Sequence, residues 1–312
     1  MRPATAVESV LRRGILAAAD DARVRRFVSA HGLRLGGARF VAGETPDACV
    51  RVLRGLNERG LHANTTLLGE SVHDEAQAAA VVVAYESLLA RLVDEGLRAN
   101  VALKLTHLGL ELGEELAYEN VRRLVARAEA LGSFIRIDME QSAFVDATLG
   151  IYRRLCDAGL ASVGCVLQSY LYRSERDLEA LLPLAPNLRL VKGAYLEPPD
   201  VAYPRKADVD AAYVRLLEAS LAGAGYTAVA THDERLIEQA VRFAEQHGIG
   251  RDRFEFQLLY GVRPQLQLEL VRRGFKVLVA TPYGPEWYPY LMRRLAERPA
   301  NALFLFRNLA RR

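Results

Sequence analysis

Two adjacent arginines, Arg293 and Arg294 in YLMRRLAERPAN, are the residues of this chain whose type and spacing point most directly to binding chemistry. A guanidinium offers a planar fork of donors that matches a carboxylate in two-pronged fashion, so the pair forms an anion grip, with phosphate as the rival ligand. Glu297 stands four residues after Arg293, where a helix would bring the two together. Glu70, which ends the run NTTLLGE, is a second acidic partner for Arg293 and would make a gate across the site. Lys104 in NVALKLT supplies a third cation. Lys104 and Lys192 also admit a different chemistry, because a desolvated lysine is a good Schiff-base amine. Against that, Gly193 and Ala194 follow Lys192 and leave the backbone open to a large ligand, which favours a cofactor.

Such residues need a frame. From Asn64 onward, β-rich runs alternate with helical patterns: NTTLLGE, NVALKLT, FIRIDME, SVGCVLQ, LRLVKGA, TAVATH, FEFQLLY and FKVLVAT, with helices between and a last helix from Glu286. Strict alternation requires parallel strands with crossover helices, and eight such units close a barrel. The expected fold is therefore α/β, a (β/α)8 TIM-type barrel over 64–312, preceded by an N-terminal helical arm over 1–63. The arm's helices are expected near Val7 to Ala19, near Asp21 to Ala30, and from Thr45, with Thr45 as N-cap, Pro46 at the first helical position and Gly60 beyond the end. In FIRIDME, Arg136, Asp138 and Glu140 share one face and Ile135 and Ile137 the other. Lys104, Gln168, Lys192, His232 and Gln257 repeat the polar strand end. Barrel active sites lie at the C-terminal face, so this ring is the candidate site.

Composition narrows the function classes. The net charge is only +3 and the basic residues are scattered among acidic ones, which disfavours nucleic acid. The longest apolar stretches, such as Ala78 to Tyr85, fall short of a membrane span. The N-terminal segment reads as an amphipathic helix and not as a signal. Cys49, Cys156 and Cys165 have no CxxC spacing and suit reduced thiols in a cytoplasmic protein. No GxGxxG or GxxxxGK[ST] loop occurs, and the histidines show no metal-ligand spacing.

The ordered motifs FVAGE, LLGE, KLT, IDME, VLQSYLYRS, NLRLVKGAYLEP, YPRKADVD, ATHDER, FEFQLLYGV, PYGPEWYPY and YLMRRLAERPAN span nearly the whole chain. With them the chain resembles the FAD-dependent proline dehydrogenases, particularly the small monofunctional bacterial ones. The resemblance implies a barrel holding FAD without a Rossmann fold. Met139, Gln168, Arg173, Lys192, Gly193, Ala194, Thr231 and His232 would contact the flavin, with Lys206 beside them. Lys104, Arg293 and Arg294 would hold the substrate carboxylate. Asp138 and Arg189 match active-site positions, Tyr195 and Leu259 would line the pocket, Glu297 would steady the arginines and Glu70 would be the gate. The implied reaction moves hydride from ring C5 of L-proline to the flavin, giving 1-pyrroline-5-carboxylate, with a quinone as final acceptor. A separate pyrroline-5-carboxylate dehydrogenase would consume the product, and the oily acceptor implies transient contact with the inner face of the membrane.

The chain departs from the family pattern at one position. Relatives usually carry Tyr two residues before the Pro of the PYG segment, where its ring packs on the substrate; here VATPYG has Ala280. Either Tyr283 leans in to compensate or the pocket is wider and accepts 4-hydroxyproline. Read from the residues alone, a Schiff-base lyase and a non-catalytic barrel that binds a partner remain the rival classes.

Overall fold

The computed structural model describes residues 21–33 and 36–297, with the side chains of all but Val24, Phe27, Ala296 and Glu297. The helix expected at Val7 to Ala19 lies outside the described residues. The strands are β1 His62–Leu67, β2 Ala99–Leu103, β3 Ile135–Ile137, β4 Val163–Gln168, β5 Asn187–Val191, β6 Tyr226–Ala230, β7 Phe254–Leu259 and β8 Val277–Tyr283. All pair in parallel, each with its neighbour in sequence, and β8 returns to β1 with Asn64 opposite Ala280 and Leu67 opposite Tyr283. The helices are α1 Ala22–His31, α2 Pro46–Asn57, α3 Glu75–Asp94, α4 Glu114–Ala130, α5 Val145–Asp157, α6 Ser174–Leu181, α7 Lys206–Ala222, α8 Glu234–Gln246, α9 Pro264–Arg272 and α10 Trp287–Glu297. The expected (β/α)8 barrel is the fold found.

Local chemistry starts several of these helices where the sequence places them. Thr45 caps α2 by accepting from the Ala48 amide at 3.3 Å with Pro46 next in line, and Asp74 caps α3 by accepting from the Gln77 amide at 2.7 Å. Gly60, two residues before β1, takes φ +80°, a left-handed turn that suits glycine. The 20-residue α3 is apolar, yet it buries Val82, Tyr85, Leu88, Leu89 and Leu92 in the main core. It is a layer helix of the barrel.

The division at residue 63 does not follow the packing. β1 begins at His62, which pairs with Leu278, and α2 lies against β1 and β8 with Cys49, Leu53 and Leu56 buried in the main core. Helix α2 therefore fills the helical layer at the seam where β8 meets β1. The helix after β8 is free for other work. Helix α10 packs instead in a second, smaller cluster: Trp287, Tyr288, Leu291, Met292 and Leu295 with Phe40 and Val41, against Leu68 just after β1 and Val262 just after β7. Both of those loops leave the C-terminal ends of strands, so α10 lies over the mouth.

The barrel interior is polar in layers. At the floor, Arg136 donates to the carbonyls of Cys165 at 2.9 Å and Asn187 at 2.7 Å, and burial pushes its guanidinium down to about 10. Glu255, 3% exposed, accepts from Tyr226 at 3.0 Å and pairs with Lys276 at 2.9 Å. Both charges are buried; Glu255 is ion-paired, while Arg136 is held by carbonyl acceptors. Arg136 thus belongs to the floor, while Asp138, two residues on, belongs to the mouth.

Candidate active site

At the mouth, Arg189 from β5 is the hub. Only 8% exposed, it donates to Asp138 at 2.6 Å, to Gln257 at 2.5 Å and to Asn64 at 2.7 Å, so residues after β3 and in β7 and β1 fix one guanidinium. Asn64 is a member of this group that sequence reasoning passed over. It sits on β1 opposite Ala280 across the seam, a register that only the closed barrel reveals.

A second group converges on Glu70, in the loop after β1. Lys104, just past β2, and Arg293, on α10 at 2.8 Å, both pair with Glu70 Oε1. Burial pushes the Glu70 carboxyl up, but Lys104 and then Arg293 more than offset that and hold it below its ordinary range. Tyr195 faces the same group: burial, then Glu140, Glu70 and Asp138, push its hydroxyl up, and Arg293 opposes them. Arg294 lies with its guanidinium 5.3 Å from the centroid of the Tyr290 ring, one turn earlier on α10. Tyr290 was overlooked in the sequence although its i, i+4 spacing from Arg294 was visible. The Glu297 side chain lies outside the described residues.

Next to the hub, Gln168 ends β4 and donates through Nε2 to the carbonyls of Met139 at 3.3 Å and Glu140 at 3.2 Å. Its Oε1 is buried and has no hydrogen-bond partner among the described residues. An orphaned acceptor at a strand end is a place for a ligand N–H. His232 accepts from the Leu259 amide through Nε2 at 3.0 Å, which ties β6 to β7, and Thr231 Oγ1 accepts from the Asp233 amide at 3.1 Å.

Further round the mouth, Lys192 pairs with Asp210 at 2.6 Å and Asp233 at 3.3 Å, and Lys206 pairs with Asp210. Arg235 joins them at 3.0 Å from Asp233, giving three cations to two carboxylates. Asp233 is held well below the carboxylate range, first by Arg235 and then by Lys192. A residual positive charge on accessible lysines suits an anionic ligand. Asp210 and Asp233 were not among the expected site residues.

One expectation needs amendment. Tyr283 does not lean over the site: it is 2% exposed and sits in the main core, with Cys49 close enough to raise its hydroxyl further. Residues 280 and 283 are three apart on a strand, so they face opposite sides, and only Ala280 points inward. Gly193 has φ +108° and a side chain there would run into the Tyr170 ring, so the position demands glycine. Arg173 is bound to Asp146 and to Asp177, the latter at 2.6 Å, at the start of α6. Ala194 is exposed beside Gly193.

The family model for proline dehydrogenase matches residues 49–307. The chain belongs to the proline dehydrogenase family. It is 42% identical to a proline dehydrogenase of Deinococcus radiodurans over 97% of this chain and 99% of that protein. It is 39% identical to proline dehydrogenase 1 of Bacillus subtilis strain 168 over 97% of this chain and 100% of that one. Among solved structures, proline utilization A from Bdellovibrio bacteriovorus superposes with a TM-score of 0.82 at 23% identity, covering 93% of this chain and 36% of that one. That likeness speaks for the barrel. The proline dehydrogenase match begins within α2 and runs through α10, the two helices set apart from the ordinary barrel repeat.

Proposed function

We propose that this proline dehydrogenase oxidises L-proline to 1-pyrroline-5-carboxylate with FAD as its bound cofactor and a quinone as acceptor. The observation that carries the reading is the convergence of Lys104 and Arg293 on one carboxylate, Glu70. Two cations arranged around a single carboxylate at the mouth of a barrel form a site for an amino-acid carboxylate. Glu70 holds them in place until the substrate arrives.

The mouth also fits the cofactor. The orphaned Gln168 Oε1 would accept from the isoalloxazine N–H, and Lys192, Lys206 and Arg235 match a pyrophosphate. When bound, FAD supplies the two-electron acceptor for the hydride that leaves ring C5. The chain's own task is orientation: Lys104, Arg293 and Arg294 bind the carboxylate, while Tyr195, Leu259 and Ala280 bound the ring. Arg189, fixed by three partners, offers a rigid donor beside the reacting ring, and α10 excludes water from above. The secondary amine reacts in its unprotonated form; where its ammonium proton has already passed to solvent before binding, the mechanism requires no strong base from the protein. A quinone dissolved in the bilayer calls for approach to the inner face of the membrane from the cytoplasm, and a pyrroline-5-carboxylate dehydrogenase would take the product.

Ala280 favours a second substrate reading. A small side chain facing inward between Leu259 and Asn64 leaves room beside the ring, enough to accept 4-hydroxyproline. The purified protein's visible spectrum tests the main reading: flavin absorbance that bleaches on anaerobic addition of L-proline is expected. A colourless protein trapped by borohydride with a keto substrate would establish a Schiff-base lyase instead, and neither signal would leave a binding barrel.

A further inference from the structure

The mouth holds a buried carboxylate that neither the clamp nor the cofactor site uses. Glu140 is 3% exposed. Both of its oxygens are occupied by one residue: Thr106 donates its backbone N–H to Oε1 at 3.1 Å and its hydroxyl to Oε2 at 2.7 Å. Burial pushes the Glu140 carboxyl up, and the Thr106 hydrogen bonds and nearby Lys104 only partly offset it.

Thr106 opens the 3-10 turn Thr106–Leu108, which starts two residues after Lys104. That turn is anchored on every side. The Thr106 carbonyl accepts from the Val72 amide at 3.4 Å, and the Leu108 carbonyl accepts from the Asn120 side chain at 2.9 Å. His107, 8% exposed, lies so close beneath Gly69 that any side chain at 69 would strike its ring. The turn therefore carries Lys104 on its entry side and supports the loop bearing Glu70 on the other. Glu140 is the anchor that ties the turn to the end of β3, two residues from Asp138.

We infer that Glu140 is a positioning residue for the substrate-carboxylate clamp, acting through Thr106 to set the height of Lys104 at the mouth. The inference rests on the proposed role of Lys104 in binding the proline carboxylate. A hydrogen-bonded tether that fixes two atoms of a turn restricts where the preceding lysine's backbone can go, and a clamp tolerates little displacement. The role belongs to the hydrogen bonds and not to the charge. A glutamine at 140 retains it: its oxygen accepts from the Thr106 amide and its NH2 donates to the hydroxyl.

A double-mutant cycle with Lys104 tests this on the holoenzyme, read as kcat and KM for L-proline. Calorimetric binding of cyclopentanecarboxylate, a ring carboxylate with no oxidisable C–N bond, gives a readout free of turnover. Glu140→Ala is expected to raise KM and the Kd of the probe about tenfold, with kcat falling less than threefold. In a Lys104→Ala background the same substitution is expected to change either constant less than twofold. Glu140→Gln should stay within about twofold of the parent. If Glu140→Ala does not fold, Thr106→Val removes one of the two bonds and should raise KM about threefold, again only when Lys104 is present.

Equal effects in both backgrounds, or a loss confined to kcat or to flavin content, would overturn the inference while leaving the clamp intact. So would Glu140→Gln behaving like Glu140→Ala. A Lys104→Ala single variant with unchanged KM would instead sink the clamp reading itself, and the inference with it.

Discussion

Ala280 decides more about this mouth than its size suggests. It is the inward residue of β8 at the level of Asn64 and Leu259, and a tyrosine placed there would project over the substrate ring. Ring packing of that kind contributes on the order of 1 kcal/mol, about a factor of five in binding. Ala280→Tyr is therefore expected to lower the kcat/KM ratio of trans-4-hydroxy-L-proline to L-proline about fivefold. Equal ratios in the parent and the variant would remove the specificity reading. Much at this scale was legible: the polar strand ends found Asp138, Gln168 and Gln257 because alternation sends every second side chain inward, whereas Arg189 came only from the family resemblance. Tyr283 shows where legibility failed. Its type fitted the pocket, but counting three residues from Ala280 places it with Cys49 on the far side of the strand. Asp210 and Asp233 were missed for another reason, since acids beside lysines in a helix and a loop look like ordinary surface pairing until the fold brings them together.

At the scale of elements, the turn after β2 couples the clamp to the pH of the medium through His107. Its Nδ1 is buried with no hydrogen-bond partner among the described residues, and Tyr85 meets its ring edge-on at 6.4 Å. Burial first, and then Lys104, push the imidazole from 6.5 down to about 4, with Glu70 opposing. The fold thus favours the neutral ring. Its contribution to stability is complete above pH 6.5, where the unfolded chain is also neutral, and is lost progressively as the pH falls towards 4. The span corresponds to roughly 3 kcal/mol. His107→Asn should flatten the fall in Tm between those limits relative to the parent, and superimposable pH profiles would contradict it. Nothing in THL announces such a role. The sequence shows a histidine near a strand end, and only the packing of Gly69 on its ring gives it a seat.

Seen as a whole molecule, the barrel was legible because its information is periodic: eight β-rich runs spaced by helices admit few closed solutions. What the period could not reveal is that the layer and the repeat are out of step. Helix α2 precedes the first strand yet closes the seam, so the expected arm and barrel are one packed body. Helix α10 follows the last strand yet leaves the layer. Its cluster shares no buried residue with the main core, and its polar ties to the rest of the fold include Arg293 to Glu70 and Trp287 Nε1 to Glu44 at 2.7 Å. Lifting α10 therefore exposes a handful of side chains, whereas opening a strand disrupts the sheet on both sides. Amide hydrogen exchange should resolve this as two populations, with α10 exchanging through a partial opening far less costly than the global unfolding that releases β4 to β7. A single protection level across both would refute it. Such an opening gives the protein a breathing motion at its mouth, with the barrel wall held still beneath it.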